Sequence, residues 1–267
     1  MHSCPLVQSI GKLLWVSAAA LFIYMTIGWL VAWRRNKFDT VDAAWGLGFV
    51  IVAWLAVAHH STHQALLIAT LVTIWGIRIT YHLGRRSFTR KEDDRRYLEL
   101  AEKWKGNRWR RAYFSVFLVQ GLIIWIITLP VMLSAGVKLH SWGWLTYVGT
   151  AVWVVGFCIE TLADRQLAQY VAMSKRPKVL DSGLWKYSRH PNYFGELSQW
   201  WGIGIIALQM SYGRIGLLGP LVLTGLILFV SGIPPIEQRR QKDAAYRAYM
   251  KHTSVLVPLP KRQTKAA

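Results

Sequence analysis

The sequence predicts an all-α, polytopic integral membrane protein of about seven transmembrane helices, with the N-terminus outside and the C-terminus in the cytosol. Three observations predict it. Hydrophobic residues make up 53% of the 267 and charged residues only 17%, too little polar surface for a water-soluble domain of this size. Seven apolar stretches reach or approach the roughly 20 residues needed to cross a bilayer. The excess of 32 Lys+Arg over 13 Asp+Glu, a formal net charge of +19, is concentrated in alternate loops.

The first stretch, Leu13 to Trp33, follows a single Lys12, is too long for a signal-peptide core and lacks a cleavage site, so it reads as a helix that stays attached. Val41 to Ala58, Ala65 to Leu83, Tyr113 to Ala135 and Trp142 to Ala163 are the next four. Tyr193 to Gln209 and Ile215 to Ile233 are separated by the short joint Ser211-Tyr212-Gly213-Arg214 and read as two spans, because one continuous helix would be far longer than the membrane is thick.

The loops test this scheme. Arg34 to Lys37 holds three basic residues, Arg85 to Arg111 eleven, Arg165 to Arg189 six and Arg239 to Lys265 eight. The alternate loops hold only Lys12, Lys138 and Arg214, and Arg78 falls inside the third span. By the positive-inside rule the basic loops are cytosolic, and an odd number of spans then puts the termini on opposite sides. The charge serves topology, so the partner it implies is a lipid bilayer rather than nucleic acid. Nothing in the sequence indicates the oligomeric state.

Between spans, Lys91 to Arg111 alternates charge with Tyr97, Leu98, Leu100, Trp104 and Trp109, the pattern of an amphipathic helix on the headgroups. A second short cytosolic helix is expected from Pro234 and Pro235 to about Lys251. Of the two cysteines, Cys4 and Cys158, the latter sits in an apolar run and is expected to be buried; no Cys-x-x-Cys or other metal-ligating pattern occurs. There is no internal repeat and no linker, so residues 1–267 read as a single domain.

Ionisable residues within spans are costly and point to function. They are Asp42, Arg78, Glu160, Asp164 and Glu196, all in the cytosolic third of the membrane. Glu160 and Asp164 are four apart and share a helix face, as do Asn192 and Glu196. The densest stretch runs from Gly183 to Glu196. Asp181-Ser182-Gly183 makes a turn, Pro191 suits the first position of a helix, and the free N–H groups of that helix end favour an anion beside Arg189 and His190.

The string Ser188-Arg189-His190-Pro191-Asn192-Tyr193-Phe194-Gly195-Glu196, with Glu160 and Asp164 before it and Glu237, Tyr246 and Tyr249 after it, resembles the C-terminal region of the steroid 5-alpha reductase superfamily. Asp42-Ala43-Ala44-Trp45-Gly46 and Glu92-Asp93-Asp94-Arg95-Arg96-Tyr97 make the chain more similar to a bacterial branch of uncharacterised membrane proteins in that superfamily, from about residue 39 to 260. The Arg-His-Pro-x-Tyr core alone is less specific, being shared with isoprenylcysteine and phospholipid methyltransferases.

The resemblance implies a seven-helix reductase of the bacterial inner membrane that binds NADPH from the cytoplasmic side, mainly through residues 160–255, and a lipophilic small molecule between its helices. It carries cofactor contacts onto Asn192 and Glu196 at the nicotinamide end, Asp164 near the ribose or adenosine, and Tyr187, His190, Tyr193 and Tyr246 nearby. Arg95, Arg189 and Arg239 are implied phosphate partners, with Tyr97 beside the first of them. At the substrate end the steroid enzymes use a carboxylate on the second helix and a Tyr on the third. Here Asp42 is the nearest carboxylate, and either Trp75 or Tyr81 aligns with the Tyr, a departure that bears on the substrate more than on the hydride chemistry. The expected reaction is reduction of an activated carbon-carbon double bond in a lipid, with Tyr81 or Asp42 as the catalytic donor to the developing oxyanion. The rival expectation is an S-adenosylmethionine-dependent methyltransferase; against it, those enzymes pair two Glu after the last helix, where this chain has Glu237-Gln238.

Overall fold

A computed structural model describes residues 5–89, 92–135 and 142–261 of the chain. Cys4, Lys91, Lys138 and Lys265, each invoked above, lie outside the described residues. Within them the structure is helical, without strands; a lone bridge pairs Ser188 with Ser254. The helices are α1 (Pro5–Arg35), α2 (Thr40–His59), α3 (His63–Thr89), α4 (Arg95–Glu102), α5 (Arg108–Ala112), α6 (Leu118–Ile127), α7 (Leu129–Ser134), α8 (Trp144–Ala172), α9 (Pro191–Ala207), α10 (Gly213–Gly216), α11 (Leu218–Gly225), α12 (Ile233–Arg240) and α13 (Ala244–His252). A π turn at Tyr113–Phe117 joins α5 to α6, and another at Leu226–Val230 follows α11.

Among the described residues six helical stretches are long and apolar enough to cross a membrane: Gln8–Arg35, Thr40–His59, His63–Thr89, Arg108–Ile127, Trp144–Ala172 and Gly213–Arg240. The remaining expected span corresponds to α9, which Pro191 starts and the turn before Gly213 ends after 17 residues, with Tyr212 in the left-handed region at φ 63°. Helix α8 runs to Ala172, well past the expected end at Ala163. Gln166, Leu167, Ala168 and Gln169 are good helix formers, and no Gly or Pro intervenes before Pro177. Cys158 is exposed on α8 rather than buried. An apolar run in a membrane helix need not face protein, because lipid solvates the outer face equally well.

The chain divides into two compact units. The first comprises Met1–Gly143 with Ala207–Gly219; the second comprises Trp144–Ile206 with Pro220–Ala267. In the first, α2 and α3 meet backbone to backbone at Gly46 and Gly76, where a Cβ on Gly76 would lie 2.8 Å from the Gly46 carbonyl. Small residues of this kind let membrane helices approach closely. Phe49 packs edge-on to Trp75 at 5.2 Å, both fully buried.

In the second unit α8 and α9 cross at two glycine pairs. A Cβ on Gly149 would lie 2.5 Å from the Gly202 carbonyl, and one on Gly156 would lie 2.6 Å from that of Gly195. Both pairs are spaced by seven residues and run in opposite senses along the chain, so the two helices are antiparallel with a fixed register. That register sets Glu160 and Asp164 opposite the start of α9.

Candidate functional site

The second unit holds a knot of charge around Arg189, which is only 6% exposed. Its Nε and Nη2 donate to the two Glu237 carboxylate oxygens at 2.7 and 3.1 Å. Its Nη1 donates to the carbonyls of Met250 and Thr253 at 3.0 and 2.8 Å. The backbone N–H of Arg189 donates to Ser254 O, Ser188 Oγ donates to Leu256 O, and Leu259 N donates to Tyr187 O. The segment after α13 is thereby laced alongside residues 187–189. His190 Nε2 lies 3.2 Å from Glu237 Oε1, and the Tyr249 hydroxyl donates to Trp185 O. A bidentate guanidinium–carboxylate pair with two further N–H groups bonded to carbonyls is the favourable way to hold such charges out of water.

Beside the knot opens a cleft of about 130 Å³, walled by Leu167, Val179, Leu180, Trp185, Arg189, His190, Asn192, Tyr193, Ile236, Arg240, Tyr246 and Tyr249. The His190 and Tyr193 rings stack at 5.7 Å, and the Arg240 guanidinium lies over the Tyr246 ring at 5.6 Å. Asn192 Nδ2 donates to Asp164 Oδ1 at 3.3 Å, while Asn192 Oδ1, buried, meets no protein donor. Deeper in the helix pair, Gln199 donates to Glu160 at 2.6 Å. Burial first, then the Glu237 charge, raises the Tyr246 phenol above its ordinary value, so it stays a neutral hydroxyl.

The first unit has a polar cluster of its own. Asp93 accepts from the backbone N–H groups of Phe38, Asp39 and Asp94. Asp94 caps α4, accepting from Arg96 N, and its carboxylate also accepts from Arg86 at 2.6 Å and Arg96 at 3.0 Å. Asp42, at the head of α2, accepts from Arg96 Nη2 at 2.7 Å and the Tyr97 hydroxyl at 2.6 Å; Gln120 donates to the same hydroxyl. Together these bonds latch α4 to the ends of α2 and α3. Burial alone would raise the Asp94 carboxyl, but the Arg96 hydrogen bonds and the Arg96 and Arg86 charges outweigh it and hold it below the usual carboxylate range. A depressed folded value means that its stabilising contribution is present above the unfolded pKa of about 4 and is lost as pH falls through the folded one. The thermal midpoint should therefore drop between about pH 5 and 3, and Asp94→Asn should flatten that part of the profile. An unchanged acid limb in the variant would show that the latch is not the acid-sensitive element.

Of the residues expected to serve a site, Asp164, Arg189, His190, Asn192, Tyr193 and Tyr246 gather in or beside the cleft of the second unit. Glu196 is one turn along α9 from Asn192, Tyr187 is 41% exposed, and Arg239 is exposed, its Nε donating to Pro235 O. Asp42, Tyr81, Arg95 and Tyr97 belong to the first unit. Arg95 is exposed and pairs with Glu99 one turn on, and Tyr81 is 68% exposed on α3. Of the two candidates for the third-helix aromatic, Trp75 is thus interior and Tyr81 exterior. Sequence reasoning passed over Trp185 and Arg240, which line the cleft. Arg240 is adjacent to the chosen Arg239, and only helix phase separates the two.

The family model described as "Protein of unknown function (DUF1295)" matches residues 28–253. An uncharacterized protein of Schizosaccharomyces pombe, C594.04c, is 24% identical, the match covering 67% of this chain. The chain spans about 60% of the length of that relative. No solved structure matches the chain.

Proposed function

We propose that the chain, which belongs to the DUF1295 family, is a membrane-embedded reductase that uses NADPH to reduce an activated carbon-carbon double bond in a lipophilic substrate. The observation that carries this reading is the cleft of the second unit, one of whose lining residues, Asn192, keeps a buried Oδ1 without a protein donor. A buried acceptor left without a donor is costly unless a ligand supplies one, and the amide N–H of a nicotinamide is such a donor. Trp185, Tyr193, Tyr246 and Tyr249 offer flat faces to aromatic rings, and Arg240 offers a cation to phosphate. These residues fit the cofactor.

When bound, the cofactor supplies hydride. The chain's own part is to hold the rings against Tyr193 and Tyr246, to neutralise phosphate through Arg240, and to keep Asn192 aimed by its bond to Asp164. Arg189 positions rather than binds, since protein acceptors occupy four of its donors. We further propose that α9 is a short seventh span and that the basic loops, with the C-terminus, face the cytoplasm of a bacterial inner membrane. The cleft wall holds two guanidinium groups, Arg189 and Arg240, and no carboxylate, which favours a polyanionic cofactor over the cationic sulfonium of S-adenosylmethionine.

Titrating each cofactor into the detergent-purified chain should raise the thermal midpoint with NADPH and not with S-adenosylmethionine, because a ligand bound only by the folded state stabilises it. Arg240→Ala and Asn192→Ala should each weaken NADPH about tenfold, the value of one charge-assisted or buried hydrogen bond. Parental affinity in both variants would remove the cleft from the reading.

A further inference from the structure

We propose that a second cleft, in the first unit, binds the phosphate of an anionic phospholipid headgroup. It has a volume of about 330 Å³ and is lined by Trp29, Trp33, Asn107, Trp109, Arg110 and Tyr113. The polar atoms on this wall divide in an informative way. Trp29 Nε1 is used by Trp109 O, the Tyr113 hydroxyl by Thr26 Oγ1, and Asn107 Oδ1 by the N–H groups of Trp109 and Arg110. What is left without a protein hydrogen-bond partner, among the described residues, is the Arg110 guanidinium, Asn107 Nδ2 and the indole N–H groups of Trp33 and Trp109. All of these are donors, one is charged, and no carboxylate lines the cleft. A wall whose spare groups only donate selects an acceptor-rich anion, and a guanidinium matches phosphate best.

The level of the cleft identifies which phosphate. Trp29 and Trp33 occupy the last two turns of the span Gln8–Arg35, while Trp109 and Tyr113 occupy the first turns of the span Arg108–Ile127. Both spans therefore present the cleft where hydrocarbon gives way to headgroups, the depth at which Trp and Tyr settle. Deeper along the same spans Phe22, Ile27, Phe114 and Leu122 are 54, 54, 57 and 56% exposed. A ligand with its phosphate on Arg110 thus has an apolar surface for its acyl chains, which a free phosphate would not use.

The test uses the full chain in detergent, with binding read by tryptophan fluorescence and native mass spectrometry. Short-chain phosphatidylglycerol is expected to bind saturably and more tightly than short-chain phosphatidylcholine. Inorganic phosphate at the same concentration is expected neither to bind nor to compete. Arg110→Ala should weaken phosphatidylglycerol about tenfold and Arg110→Lys less, with Trp33→Ala as an independent second variant. Arg240→Ala, in the other unit, should leave this affinity unchanged, so the outcome is separate from that of the cofactor titration. Equal binding of the two lipids, competition by inorganic phosphate, or parental affinity in both Arg110→Ala and Trp33→Ala would each overturn the proposal.

Discussion

Arg189→Ala should destabilise the chain by about 3–5 kcal/mol, the cost of removing one partner from a buried, hydrogen-bonded ion pair. The size follows from what is left behind. Glu237 would keep its carboxylate with only the His190 contact, and the carbonyls of Met250 and Thr253 would lose their shared donor. A lysine cannot repair this, because one ammonium cannot meet both carboxylate oxygens and two carbonyls in the fixed planes that a guanidinium reaches. Arg189→Lys should therefore fall closer to alanine than to the parent. Thermal unfolding in a single detergent, with the Arg189→Met, Glu237→Leu double variant alongside, separates the components. The double variant should recover much of the loss, since it removes both charges together. A single variant within about 1 kcal/mol of the parent would mean that the knot is solvated and not structural. The functional consequence is indirect: the knot holds residues 187–190 and the segment after α13, and so the His190 and Tyr249 walls of the cleft.

The sequence marked Arg189 as unusual but assigned it a different task. A string containing Arg189, His190, Asn192 and Glu196 can be seen in one line of text, and so can a resemblance that rests on it. The acceptors that engage Arg189 cannot, because Glu237, Met250 and Thr253 lie 48, 61 and 64 positions away. The same holds for the block from Asp93 to Tyr97. Its density of charge is plain, but its attachment to Asp42 spans 54 residues. Six spans were legible because hydropathy is a local sum. Helix α9 was legible as apolar and as short, since Pro191 and the joint from Ser211 to Arg214 bracket it; the left-handed conformation of Tyr212 in that joint was not. Cys158 was misplaced for the converse reason, since apolarity in a membrane chain does not distinguish a lipid-facing side from a protein-facing one. The glycines at 149, 156, 195 and 202 were readable as two pairs seven apart; what they lacked was any sign that one pair faces the other.

Gly195→Val should disrupt the second unit at least as severely. A Cβ at this position would sit 2.5 Å from the backbone N of Glu160 and 2.6 Å from the Gly156 carbonyl, and both neighbours are main chain, so neither can rotate aside. Forcing extra methyl groups into a packed contact costs about 1–3 kcal/mol where side chains can adjust, and more where a helix must move. Here α8 must retreat from α9 along its length, because the Gly149–Gly202 contact is fixed by the same register. The separation would also pull Glu160 from Gln199 and Asp164 from Asn192, whose bonds of 2.6 and 3.3 Å bridge the two helices. Loss of stability and, on the proposed function, loss of NADPH affinity should therefore appear together. Gly225→Ala is the matched control, since a Cβ there meets nothing within 4 Å and alanine is the better helix former by about 1 kcal/mol. If Gly195→Val kept both its thermal midpoint and its NADPH affinity, the close crossing of α8 on α9 would not be what positions Asn192, and the cleft would have to be organised by the Arg189 knot alone.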